Sequence, residues 1–399
     1  MALAFFLLLS PLLAQKGDYI RNAETFIDQK KYASAHSILN AAIQDRGMLP
    51  ALINPMIDNV LKHYFMQRDF EVFYLQDYSN SGREFNFESV YEFPIVAFRH
   101  PDRLLKKVIA AHPQFAWSYK LLGDFYDLQL CDDANRQLLP DALADDLRGK
   151  VYENYHRAVQ LGYNQPDVNR WLGQYYREGK QYRIAKQFYQ KNLELGVEDP
   201  ETFCRLAEIY LYEKQYSQAY NSAVRGLQMY AHLEPELRYE TTRTAALALL
   251  NIGEEARFVD YIFECIQLFP DHQSAYIDLL EYYESKDDWL YGQKMIRRML
   301  FNNPYDHKGY YYLEKFCARR NDYEFADALF DEMMGRFEHF DEAMGNIYRF
   351  RGNLLFYQGK PEEAHKIWEI SKSYYSRCLP PDSPLIKQVG DVRKGASIK

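Results

Sequence analysis

Small residues and prolines recur along this chain every 34 positions, and that spacing restricts the fold more than any other feature. Ala185 and Ala219 hold equivalent places in GKQYRIAKQFY and EKQYSQAYNSA. Gly292 and Ala326 are again 34 apart, as are Pro270 and Pro304 in QLFPDH and FNNPYDH. A fixed period of this length marks a repeated supersecondary unit. Residues 166–200 show what the unit is. Val168, Leu172, Tyr175 and Tyr176 fall at helical spacing, then Tyr182, Ala185, Phe188 and Tyr189 do the same after a short turn. Two helices this short cannot bury their apolar faces alone, so each pair must lean on a neighbour.

The pattern weakens toward the amino terminus. Residues 22–45 read as two short helices with Phe26, Tyr32, Ala35, Ile38, Leu39 and Ala42 on the stripe, and Gly47, Pro50 and Pro55 then punctuate the chain. Residues 51–78 read as a further helical pair, in which Met56, Val60, Tyr64 and Phe65 answer Phe70, Phe73 and Tyr74. A polar break follows at 79–89, and DRLLKKVIAAH, after Val90, Phe93, Val96 and Phe98, reads as a helix. Trp117–Tyr126 opens another unit, whose partner helix at 151–162 is delayed by an insertion. Two later units have longer approaches, which place insertions of four or five residues in the turns between units. The tail from Leu379, with three prolines in six residues, is expected to be mobile.

The residues at the repeat positions resemble those of tetratricopeptide repeats. The matches are Leu172, Gly173, Tyr176, Tyr182 and Ala185, then Leu206, Ala207, Tyr210, Tyr216 and Ala219. Leu279, Tyr283, Trp289 and Gly292 follow, then Leu313, Tyr323 and Ala326, and finally Gly352, Gly359 and Ala364. Tyr276, Tyr310, Tyr348 or Phe203 stands where the family has a tryptophan. The resemblance implies an all-α, right-handed superhelical solenoid of eight or nine antiparallel helix pairs. Its regular array spans 166–378, degenerate repeats with insertions fill 15–165, and 1–14 precede them.

Those first residues include ALAFFLLLSPLLA, an apolar run of 13 at 2–14. It is too short for a membrane span of roughly 20 residues and has the length of a signal-peptide core. A periplasmic or secreted location is therefore expected, with a cytoplasmic one as the alternative. The five cysteines are odd in number and lack any CxxC, and Cys265 and Cys317 fall on apolar stripes as small hydrophobes.

Composition and motifs speak against catalysis and nucleic acid. The net charge is −8 and the pI near 5.8, without the basic balance of a nucleic-acid binder. HExxH, GxSxG, GxxxxGK and GxGxxG are absent, and the ten histidines are scattered, His100 and His112 being too distant to share a helix face. Asp132, Asp133, Asp141, Asp145 and Asp146, near Asp124 and Asp127, lack the spacing of a calcium loop and read as a solvated acidic segment. No metal or cofactor is implied.

The resemblance implies instead a protein or peptide partner held on the concave face, which the first helix of each pair lines. In the family's register the groove candidates are Arg170, Gln174, Arg177, Glu208, Tyr212, Arg243, Glu281, Glu284, Tyr311, Lys315, Arg349 and Asn353. Arg170 with Arg177, and Lys315 with Arg349, would attract carboxylates, while Glu281 and Glu284 would repel them. Arg349 and Asn353 match the family's carboxylate clamp only in part, which favours an extended or helical segment laid along the groove. Two other readings stay open: an enzyme or ligand-binding module within 46–165 carried by the array, and a structural part of an oligomer.

Overall fold

The computed structural model describes residues 19–78, 94–131, 140–229 and 234–391. The apolar run 2–14, the polar break 79–89 and part of the expected insertion lie outside these. The chain forms two compact units, Met1–Val197 and Glu198–Lys399.

The first unit opens with the expected pair, α1 (Tyr19–Asp28) and α2 (Tyr32–Arg46), followed by α3 (Pro50–His63). Pro55 lies inside α3 instead of ending an element. The second half of the pair expected at 51–78 is not helical. After Tyr64 the chain enters an antiparallel sheet of order β1-β2-β3, with β1 Met66–Arg68, β2 Val72–Gln76 and β3 Ile95–Arg99. The physical reason is visible in β2. Phe73 and Leu75 are fully buried while Tyr74 between them is not, a period of two that a helix cannot satisfy. Asp69 and Phe70 both take positive φ and turn β1 into β2. Phe73 pairs with Phe98, and Leu75 with Val96. Beyond β2, Asp77 accepts the Ser34 backbone N–H at 3.0 Å and so fastens the sheet to the start of α2.

Helix α4 (Pro101–Ala111) leads into two helical pairs, α5 (Ala116–Cys131) with α6 (Asp141–Gln160) and α7 (Pro166–Glu178) with α8 (Tyr182–Glu194). Their shared core contains Phe73, Leu105, Leu121, Val151, Val168 and Leu172.

The second unit is a run of five pairs: α9 (Pro200–Tyr212) with α10 (Tyr216–Met229), α11 (Pro235–Asn251) with α12 (Glu255–Leu268), and α13 (Gln273–Ser285) with α14 (Trp289–Asn302). Then come α15 (His307–Arg320) with α16 (Tyr323–Phe337), and α17 (Asp341–Tyr357) with α18 (Pro361–Cys378). One core runs through most of it, from Tyr239 to Leu354.

Six of the described pairs turn in the same way. Lys180, Lys214, Asp287 and Asn321 take left-handed φ of 52–60° in their turns, and Gly253 and Gly359 take φ of 88° and 76° in theirs. The following N–H reaches back over the helix end, from Gln181 to the Tyr176 carbonyl and from Gln215 to that of Tyr210, capping the first helix. The extra residues of the two longer units do not sit in the turns between units. They lengthen the first helix itself, to 17 residues in α11 and α17 against 13 in α7, α9 and α13.

Tyrosine in place of the family's tryptophan also has a local cause. Tyr276 and Tyr310 are buried, and their hydroxyls donate to the carbonyls of Pro270 and Pro304 at 2.9 and 3.0 Å. The 34-residue period of the prolines is thus also that of a buried hydrogen bond. Finally, the tail expected to be mobile from Leu379 is packed up to its last described residues. Pro384–Lys387 forms the short α19, and Val389 is buried in a cluster with Ala364, Trp368 and Tyr375.

Candidate functional site

The first helices of the five pairs in the second unit are laced to one another by polar bonds about one period long. Arg205 of α9 meets Glu240 of α11 at 2.9 Å. Arg243 of α11 grips Asp278 of α13 with two bonds, 2.5 and 2.9 Å. Arg319 of α15 donates to Glu284 of α13, and Asn353 of α17 donates to Glu314 of α15 at 2.9 Å. A two-point guanidinium–carboxylate pair fixes orientation as well as distance.

This ladder absorbs several of the expected groove residues. Arg243, Glu284 and Asn353 join neighbouring helices instead of awaiting a ligand. Asn353 also accepts from the Trp368 indole at 3.1 Å, and the Arg349 carbonyl accepts from the same N–H at 3.2 Å. The Arg349 guanidinium donates to Gln388 in the tail at 3.4 Å and lies over the Phe350 ring. Arg349 and Asn353 are therefore engaged by α18 and the tail. Glu208 lies 3.9 Å from Arg205 on its own helix.

Four candidates of the second unit keep solvent-facing surface and are brought close in part. Tyr212 and Tyr311 are 67% and 56% exposed, the most open aromatic rings of the described chain. Tyr311 touches the edge of Tyr312, Lys315 lies over the Tyr312 ring, and the exposed Glu281 lies beside the Tyr312 hydroxyl. Tyr311, Lys315 and Glu281 thus gather around one tyrosine that the groove register leaves out. A signal for it exists in the pattern, since Tyr312 adjoins Tyr311 and Leu313 in a run of three tyrosines. Burial and the neighbouring Glu281 both push the Tyr312 hydroxyl's pKa upward, which keeps it a donor.

In the first unit, Arg170 and Arg177 are half-buried on α7, and Gln174 is exposed and donates to Glu178 at 2.9 Å. The acidic residues expected to be solvated divide. Asp145 and Asp146 are exposed on α6 and pair with Arg148 and Lys150. Asp124 and Asp127 are not solvated. Asp124 holds the buried Lys120 at 2.7 Å and accepts the Tyr155 hydroxyl at 2.8 Å, while Asp127 accepts the Trp171 indole at 2.9 Å. Burial raises the pKa of both carboxyls. Among the described residues no group of three or more His, Cys, Asp or Glu could hold a metal ion. Cys265 and Cys317 are buried, as their place on the stripes suggested, and burial pushes each thiol up to about 12.

Antiparallel helix pairs, left-handed turn closure and a 34-residue period together define the unit. These are tetratricopeptide-type helix pairs. No family model and no curated protein matches the chain. Similar solved structures include YrrB, described as a TPR protein with an unusual peptide-binding site, at 18% identity over 51% of this chain and 94% of that one, TM-score 0.40. The C-terminal part of a TPR repeat-containing protein from Cytophaga hutchinsonii has 15% identity over 73% of this chain and 98% of that one, TM-score 0.40. PilF of Pseudomonas aeruginosa has 14% identity over 53% and 94%, TM-score 0.38. Among the described residues no helix is long and apolar enough to cross a membrane.

Proposed function

We propose that the chain is a non-catalytic scaffold that holds a protein or peptide on the first-helix face of Glu198–Lys399. One observation carries this. The ladder from Arg205 to Asn353 locks the first helices in place, yet Tyr212 and Tyr311 stay open at the surface. A rigid face with exposed aromatic rings loses little entropy on binding, and tyrosine suits such contacts because its ring is apolar and its tip polar.

Photo-crosslinking with the full chain tests it. A benzophenone side chain at Tyr311 or Tyr212 should trap partner protein, whereas one at Ile370, an exposed residue of the second helix α18, should not. Equal trapping at all three positions, or none at any, would remove the face from the proposal. Export across a bacterial-type inner membrane is part of the same proposal and rests on residues 2–14. The mass of the mature protein from its native host tests that part.

A further inference from the structure

Between α11 and α13 lies a cleft of about 260 Å³, lined by Leu247 and Leu250 on one side and by Asp278, Glu281 and Tyr282 on the other, with Glu255 and Lys286 at its end. Its charges can be accounted for one at a time. Asp278 is neutralised by Arg243. Glu255 is held by Lys286 at 2.6 Å and accepts the Tyr282 hydroxyl at 3.2 Å. Glu281 is left over. It lies beside the Tyr312 hydroxyl, and no basic side chain of the described residues is within ion-pairing distance; the charges around it are Glu284, already taken by Arg319, and Lys315, which lies over the Tyr312 ring. The cleft therefore combines an apolar wall with one carboxylate that has no ion-pair partner among the described residues.

We propose that this cleft seats a lysine or arginine side chain of the bound partner, its methylene stem on Leu247 and Leu250 and its charged head on the Glu281 carboxylate. The inference rests on the scaffold reading above and names the chemistry of its partner. Size agrees: the space is below the roughly 300–1,000 Å³ of small-molecule pockets and suits one long side chain. Chemistry excludes the alternatives. An acidic side chain would be repelled by Glu281, and a wholly apolar one would strip water from that carboxylate without replacing its hydrogen bonds. Only a side chain with an aliphatic stem and a cationic tip satisfies both walls. The sign is opposite to the carboxylate preference that Lys315 and Arg349 suggested in the sequence; neither residue lines this cleft, and the Arg349 guanidinium is turned to Gln388 of the tail.

Selection of random displayed peptides on the full-length chain tests it, with wild type, Glu281→Gln and Glu281→Lys in parallel and circular dichroism to verify that each variant is folded. Wild type should enrich peptides with one Lys or Arg at a fixed place. Replacing that residue by norleucine should weaken binding about threefold to tenfold, as expected for an exposed ion pair with a packed stem. Glu281→Gln should lose the enrichment, and Glu281→Lys should disfavour basic peptides. Selected peptides without a basic preference, or with one that Glu281→Gln leaves intact, would overturn this inference and leave the scaffold standing. Failure to select any peptide on any of the three proteins would bring down both.

Discussion

Gly352 of α17 lies directly beneath the indole of Trp368 in α18: a methyl group on Gly352 would sit 2.5 Å from two atoms of that ring. Gly173 of α7 stands in the same relation to Tyr189 of α8, at 3.0 Å and with the same separation of 16 residues. Alanine is ordinarily the better helix former by about 1 kcal/mol. Here the clash outweighs that gain. Gly352→Ala should destabilise by roughly 1–3 kcal/mol and Gly173→Leu by at least as much. Gly149 of α6, with nothing within 4 Å of its added methyl, is the control, and Gly149→Ala should stabilise. Urea midpoints of the three variants check this ranking, and equal shifts at Gly352 and Gly149 would refute the close approach.

Adjacent tyrosines should behave in opposite ways. Tyr310 is buried and donates to the Pro304 carbonyl, whereas Tyr311 is 56% exposed. Tyr310→Phe removes a buried hydrogen bond and should cost about 1 kcal/mol. Tyr311→Ala should leave the thermal melt within about 0.5 kcal/mol of wild type and weaken partner binding. A Tyr311→Ala variant that melts early would place its ring in the core.

How much of this is legible in the sequence depends on the range of the interaction. The helix pairs are legible because Leu172, Tyr176, Ala185 and Tyr189 are a few residues apart and repeat. The left-handed turns at Lys180, Lys214 and Asp287 are not, since only Gly253 and Gly359 carry the residue that announces such a backbone. The strand at Val72–Gln76 passes for a helix because Phe70, Phe73 and Tyr74 also fit helical spacing, although burial picks out Phe73 and Leu75. At the candidate site, the register places Arg243, Glu284 and Asn353 on the first helices correctly, but their mates lie 35 or 39 residues away. Opposite charges one period plus one residue apart are the signal that finds Arg205 with Glu240, Arg243 with Asp278 and Glu284 with Arg319.

Ion pairs between neighbouring units should matter in proportion to their burial. Asp278 has a side chain only 9% exposed, so Arg243→Leu strands a nearly buried carboxylate and should cost about 1–3 kcal/mol. Arg297 pairs with Glu332 in the open, at 52% and 41% exposure, and Arg297→Leu should cost less than about 0.5 kcal/mol. Chemical denaturation of both variants at one ionic strength checks the difference. Raising the salt should shrink only the second effect.

Glu314 makes stability depend on pH in an unusual direction. Burial pushes its carboxyl up to about 7 from 4.5, against the opposing hydrogen bond from Asn353 and the charge of Arg349. Because the folded chain holds this proton more tightly than the unfolded chain, ionisation of Glu314 works against folding. Its contribution is constant below about pH 4.5, turns progressively unfavourable between 4.5 and 7, and is constant again above. Across that window the full swing is about 3 kcal/mol. Glu314→Gln keeps the shape and an acceptor for Asn353 without the charge. It should therefore stabilise the protein at pH 8 relative to its effect at pH 4.5, with the change falling between those two values. Unfolding free energies of wild type and variant across this range measure it, and a difference that does not vary with pH would show that Glu314 ionises normally.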